Sequence, residues 1–364
     1  MAIAGSLPHL VLKEIFNEIE ESISTDRYRV LLSCALVNRY WCHEALPTLW
    51  RRPFNCRREQ YSKLIKVYLQ FIDPEFLNFL DLDLNIPTKS SISSSSSSSS
   101  LPFLYPSYIK YIDFYNFFDA VQYWMTTDGD FERGKNRFNW MPQWFYRERP
   151  ILHETFSKVK RALVQALLGN FLSSGARLES VSFLIHPNKD LKVEEFLWPF
   201  DENVRPLIVN IKMLTVSGMF RKENIFAELT KICRNLQAME IVIEGNSDVL
   251  GVQSPKEYLN LGSLIQAQKG RLKSLNITFR EKSRSFIELL LPSIWTNSST
   301  LQNLRLCTAD FRDVKRPLAG LSSCHQLRSL EFSYCKGLTK ESISPYITPA
   351  VNPYLKRIRV LGGY

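Results

Sequence analysis

Long apolar runs are missing from this chain. In 364 residues no stretch of eighteen or more apolar side chains occurs, so no helix long enough to cross a bilayer is expected. The spacings G-x-x-x-x-G-K-[ST], G-x-S-x-G and G-x-G-x-x-G are absent too, which removes phosphate-cradling loops and the serine elbow of hydrolases. Histidine is scarce: the five (9, 43, 153, 186 and 325) lie far apart, and no pairs stand at zinc-finger spacing. Asp128-Gly129-Asp130 hints at a calcium loop but lacks the further acidic positions such a loop needs. Cysteine is odd in number, at 34, 42, 56, 233, 307, 324 and 335, without a C-x-x-C. That pattern fits reduced, mostly buried thiols in the cytoplasm or nucleus rather than a disulfide framework. Cys34 or Cys42 would act as a nucleophile only with exposure and a neighbouring base. The first five residues carry no basic start and no sustained apolar stretch, against a secretory leader. Catalytic activity, a cofactor and a bound metal are therefore not expected.

Apolar periodicity is what the chain does have. Leu12, Ile15, Phe16 and Ile19 fall at i, i+3, i+4 and i+7, one face of a helix. Tyr28, Leu31, Leu32, Ala35 and Leu36 make a second such face, and Trp41, Ala45 and Leu49 step by four along a third. A segment of fifty residues buries only about 60% of its unfolded surface, so it is marginal alone. Some of the apolar surface on these helices should be sealed by another polypeptide.

These residues resemble an F-box, the helical module by which substrate receptors dock onto SCF-type ubiquitin ligases. The resemblance lies in Leu7-Pro8, Glu14-Ile15-Phe16, Cys34 with Leu36-Val37-Asn38-Arg39-Tyr40-Trp41, and Leu49-Trp50. It covers roughly residues 1–52, assigned to a domain of residues 1–55. Leu10 stands where the family usually has an acidic residue, and Glu18 to Asp26 is longer than expected between the first two helices. The resemblance implies an adaptor-binding set of Leu7, Pro8, Leu12, Ile15, Phe16, Leu32, Leu36, Val37, Trp41, Leu49 and Trp50. Of these, Ile15, Leu36 and Trp41 are expected partly inside, and Leu7, Pro8 and Val37 outward.

After residue 55 the texture changes. A template apolar at positions 1, 4 and 6 recurs seven times, as Leu178-Val181-Phe183, Ile211-Leu214-Val216, Leu236-Met239-Ile241, Leu272-Leu275-Ile277, Leu301-Leu304-Leu306, Leu327-Leu330-Phe332 and Leu355-Ile358-Val360. The starts are 33, 25, 36, 29, 26 and 28 residues apart, mostly within or near the leucine-rich-repeat range. Leu77-Leu80-Leu82 and Ile109-Ile112-Phe114 fit the template as well, so residues 56–364 are read as a degenerate repeat array, clearest from 176 onward. Each unit pairs a short strand with a helix or turn and cannot bury its own apolar side. Stacking makes one continuous core. The fold expected is therefore α/β, a three-helix module followed by a curved solenoid with parallel strands on its concave side and helices or turns outside.

The unit Leu327-Arg-Ser-Leu330-Glu-Phe332-Ser-Tyr-Cys335-Lys-Gly-Leu338 resembles the cysteine-containing leucine-rich repeats that often accompany an F-box. There Cys335 would tuck beneath the turn leaving the strand, with Leu338 in the next layer. A serine tract near 87–102 reads as a disordered loop. An aromatic-rich insert near 118–150 reads mainly as packing for the early repeats, with stacking on nucleic acid or anchoring a protein as the other uses.

The formal charge of +10 raises nucleic acid, but the basic clusters (Arg51, Arg52, Arg57, Arg58; Lys158, Lys160, Arg161) are short and interrupted. Solvated faces account for most of them, and a basic surface suited to an acidic protein partner comes next. The resulting expectation is a substrate-recognition subunit, held by an adaptor and through it by a cullin, with a target protein on the repeats. No membrane is involved, and nucleic acid is not the expected partner. The alternative is an interaction scaffold without a ubiquitin role.

Overall fold

The structure, a computed structural model, describes residues 7–22, 27–79, 103–127, 150–185, 202, 205–218, 225–244, 255–280, 287–312, 314 and 318–362. The serine tract and residues 128–149 of the aromatic insert lie outside the described residues. The chain forms two compact units that divide after Leu178. The three N-terminal helices share the first unit with the residues up to 178.

In the first unit, α1 (His9–Glu21), α2 (Arg27–Ala35) and α3 (Arg39–Leu49) enclose Leu12, Phe16, Leu31, Ala35 and Ala45. Phe16 meets Trp41 edge-on at 5.8 Å between ring centroids. The helix α3 begins at Asn38, whose side chain accepts from the Trp41 backbone N–H at 2.8 Å and satisfies one of the open donors of the first turn. Then follow α4 (Tyr61–Leu69), α5 (Pro74–Phe79), a short strand β1 (Tyr111–Asp113), α6 (Phe114–Thr127) and α7 (Pro150–Ser173). The aromatic residues of α6 turn inward: Phe114, Phe117 and Trp124 are fully buried. Phe54, Tyr68, Phe117 and Phe171 form one aromatic cluster, with centroid separations of 4.7 Å for Phe54–Phe117 and 5.0 Å for Tyr68–Phe171. These α6 aromatics are packing residues of the first unit. Leu77 lies in α5, so the triplet at 77 does not open on a strand.

The second unit is an open parallel sheet in strict chain order: β2 (Ser180–Ile185), β3 (Met213–Gly218), β4 (Ala238–Glu244), β5 (Ser274–Arg280), β6 (Asn303–Cys307), β7 (Ser329–Cys335) and β8 (Arg357–Gly362). Between them run α8 (Arg205–Ile208), α9 (Ile225–Ile232), α10 (Pro255–Gln266), α11 (Ile287–Trp295) and α12 (Lys340–Ile343).

The register explains the spacing of the template. Position 4 forms one column, Val181, Leu214, Met239, Leu275, Leu304, Leu330 and Ile358, each in register with the next across the parallel strands. Position 6 forms another, from Phe183 through Val216, Ile241, Ile277, Leu306 and Phe332 to Val360. Because side chains alternate across a strand, both columns fall on one face, and the first six triplets are buried. The seventh differs: Ile358 is 51% exposed, since among the described residues no strand follows β8 to cover it.

Within the second unit, buried amides tie successive strand-and-helix segments together. Gln268 Nε2 donates to Cys233 O at 2.8 Å while its Oε1 accepts from Leu236 N. Asn297 Nδ2 donates to Ile265 O at 3.0 Å, and Asn352 Nδ2 to Cys324 O at 3.0 Å. Each amide precedes its own triplet by three or four residues and satisfies a carbonyl of the unit before, in a buried setting where an unmet carbonyl would be costly. Cys335 is buried with its thiol directed at Leu306 O, 3.3 Å away, and Leu338 is buried as well.

Candidate functional site

The strongest functional feature is an apolar face on α1 and α2. Eight of the fifteen large apolar residues exposed among the described residues lie between 10 and 40: Leu10, Val11, Ile15, Val30, Leu32, Leu36, Val37 and Tyr40. The amphipathic pattern of α1 turns Leu12 and Phe16 into the three-helix core, leaves Leu10 and Val11 on the solvent side, and brings Ile15 to the exposed edge of the inward stripe. An open groove of about 800 Å³ runs between the helices, walled by Leu10, Val11, Ile15 and Ile19 on α1 and by Val30 on α2, with Glu14, Glu18 and Arg27 at its rim. A second, shallower groove lies along Val30, Cys34 and Val37. Val30 lines both, so the face continues from Leu10 to Val37. Exposed apolar area concentrated in this way marks an interaction surface more often than isolated residues do.

The eleven residues named from the sequence divide three ways. Pro8, Ile15, Leu32, Leu36 and Val37 are exposed. Leu7, Trp41 and Leu49 are half-buried and packed against the three-helix core. Trp50 is half-buried too, but it stacks on Tyr105 at 4.5 Å and meets Tyr68 edge-on at 5.6 Å, which commits it to the rest of the first unit. Leu12 and Phe16 are wholly enclosed and support the face from beneath. Three placements differ from expectation. Ile15, expected partly inside, is 39% exposed on the open face. Leu36 is 78% exposed because α2 ends at Ala35, and the turn that follows carries Leu36 and Val37 outward. Leu7 turns partly inward, where its carbonyl accepts from Tyr40 Oη at 3.2 Å.

Leu10, Val11, Val30 and Tyr40 belong to the face and were missing from the eleven. Their signal was the residue left over when the inward stripe is subtracted from each helix: an apolar side chain on the solvent side of an amphipathic helix. Leu10 extends the face at its N-terminal end and is 75% exposed.

Ion pairs hold the platform in place. Glu20, at the end of α1, is almost fully buried and meets Arg51 Nη1 at 2.9 Å and Arg52 Nε at 3.1 Å. Arg51 Nη1 also donates to Asn17 Oδ1 at 3.2 Å, and its carbonyl accepts from Lys110 N and Tyr111 N. The Arg52 guanidinium covers the Tyr111 ring at 4.0 Å. Burial pushes the Glu20 carboxyl above its usual range, against the two guanidiniums that pull it down. His9 Nδ1 and Glu44 Oε2 join the starts of α1 and α3. Cys34 lies between the helices, and burial raises its thiol above the ordinary value, so it is less of a thiolate than a free cysteine.

Among the described residues no group of three or more His, Cys, Asp or Glu is placed to hold a metal ion, and no helix is long and apolar enough to cross a membrane. Comparison with protein-family models, with curated proteins and with solved structures gives no match.

Proposed function

We propose that the chain is the substrate-recognition subunit of an SCF-type ubiquitin ligase. In this reading the exposed face of α1 and α2 docks on the adaptor that bridges to a cullin. The second unit is a leucine-rich-repeat array that holds a target protein near the ubiquitin-loading enzyme. The contribution to catalysis is proximity supplied to another enzyme's chemistry. Cytoplasm or nucleus is the compartment where such a ligase works.

One observation carries the reading: Leu10, Val11, Ile15, Val30, Leu32, Leu36 and Val37 remain open to solvent although a core of buried Leu, Phe and Ala lies directly beneath them. The Leu-Pro start, the Leu-Val-Asn-Arg-Tyr-Trp stretch and the Asn38 cap give that face the order of anchors found in an F-box. The stacked strand columns support an array suited to a target. Affinity purification of the tagged full chain from cells tests the assignment. Cullin and adaptor peptides enriched with the wild type and lost with Leu36→Asp/Val37→Asp support it. Partners recovered from both without a cullin indicate the scaffold instead.

A further inference from the structure

The far end of the parallel sheet carries a second surface, of charge and not of apolar area. Arg328 precedes β7, and Lys356, Arg357 and Arg359 lie at and within β8; all four are exposed. The Arg328 carbonyl accepts from both Lys356 N and Arg357 N, at 2.9 and 3.2 Å, which fixes these cations side by side on adjacent strands. Arg357 stands opposite Ser329 and Arg359 opposite Glu331 in the register, on the side away from the buried columns. Neighbouring strands lie about 4.8 Å apart, so the backbone positions that carry the four cations lie close together.

No described residue offers these four a carboxylate. Glu331 is the acid closest in register, and it is taken: Arg305 Nε holds its Oε1 at 3.2 Å and Ser333 Oγ donates to it at 2.8 Å. Like charges on paired strands destabilise the sheet they sit on. The cluster therefore does not add to the fold. An anion bound across it would offset that repulsion.

The geometry points to an acidic polypeptide segment as that anion, rich in Asp or Glu, lying across the starts of β7 and β8. A nucleic-acid strand fits less well. Glu331 sits on the same face, opposite Arg359, and would repel a continuous polyphosphate, whereas a peptide can place its acids selectively. Gln302 and Asn303, on the neighbouring strand, offer amides to a peptide backbone. This inference deepens the target-holding half of the proposed function and stands without the adaptor dock.

The test uses the full chain and a fluorescein-labelled peptide of alternating Glu and Ser, read by polarisation, with a Lys-Ser peptide and a single-stranded oligonucleotide as competitors. The Glu-Ser peptide should bind, weaken as salt rises, and lose about tenfold or more in affinity with Arg328→Glu/Arg357→Glu. The control Lys63→Glu/Lys269→Glu makes the same change of net charge elsewhere and should leave binding alone. The double reversal should melt no lower than the wild type, since it relieves repulsion. Adaptor capture, scored on the same variants, should be unchanged, which separates failure here from failure of the dock. Equal binding by both double variants, or tighter binding of the oligonucleotide than of the peptide, overturns the inference.

Discussion

Glu20 Oε2 accepts from Arg51 Nη1 at 2.9 Å, and through that contact the end of α1 is fastened to the segment that follows α3. Glu20 is 4% exposed, so its charge has lost nearly all its water. Removing one member of a buried pair strands the other. Arg51 is a quarter exposed, which reduces the effect, so Arg51→Met should cost about 2–3 kcal/mol in chemical denaturation.

The same group gives a pH dependence with a definite sign. Burial raises the folded-state affinity of Glu20 for a proton above that of an unfolded glutamate, near 4.3. Its contribution to stability is therefore complete below about 4.3 and is lost as pH climbs through the raised value. Glu20→Gln keeps an uncharged side chain at every pH. Its melting temperature relative to the wild type should rise between pH 4 and 7, and a falling difference would refute the assignment.

Asn38 caps α3 from just beyond the exposed Leu36 and Val37. Asn38→Ala should lose about 1 kcal/mol of stability. Asn38→Asp should retain most of it, because a carboxylate accepts the same Trp41 N–H and suits the positive end of a helix.

Gly320 sits against the Trp295 ring so closely that an added Cβ would lie 2.2 Å from ring atoms. Trp295 closes α11, so the clash reaches the helical layer of the second unit. Gly320→Ala should destabilise by about 1–3 kcal/mol, measured by urea denaturation.

Tyr334 and Thr308 both adopt φ near +57°, four residues beyond Leu330 and Leu304 in successive units. That region is costly for a side chain and comfortable for glycine. Tyr334 is 61% exposed, so little packing repays the strain. Tyr334→Gly should hold or raise the melting temperature, by up to about 1 kcal/mol in stability; a clear loss would show that the ring does more than the exposure suggests.

Much of the sheet was legible because its signal is local and repeated. A strand needs apolar residues two apart, and Leu275/Ile277 or Leu304/Leu306 supply them wherever the chain returns to the same layer. The triplet at Leu77 shows the limit. Leu77 and Leu80 are three apart, which suits a helix as well as the template, and α5 is what forms. The division at Leu178 was hidden for another reason. It depends on Phe54, Tyr68, Phe117 and Phe171 meeting across more than a hundred residues, and no spacing records that. Which helix residues face out was readable only in part for α1: Leu12 and Phe16 point inward as the stripe requires, but Ile15 on the same stripe is exposed. It failed for Leu36, because the end of α2 at Ala35 is set by the turn and the Asn38 cap and not by apolar period.

The direct measurement is hydrogen exchange on the full chain with and without the purified adaptor subunit. The account predicts slowed exchange in residues 9–21 and 27–37, unchanged exchange in the strands of the second unit, and loss of the slowing with Leu36→Asp/Val37→Asp. Adaptor that leaves those helices unprotected at saturating concentration, or that never binds the wild type, contradicts it.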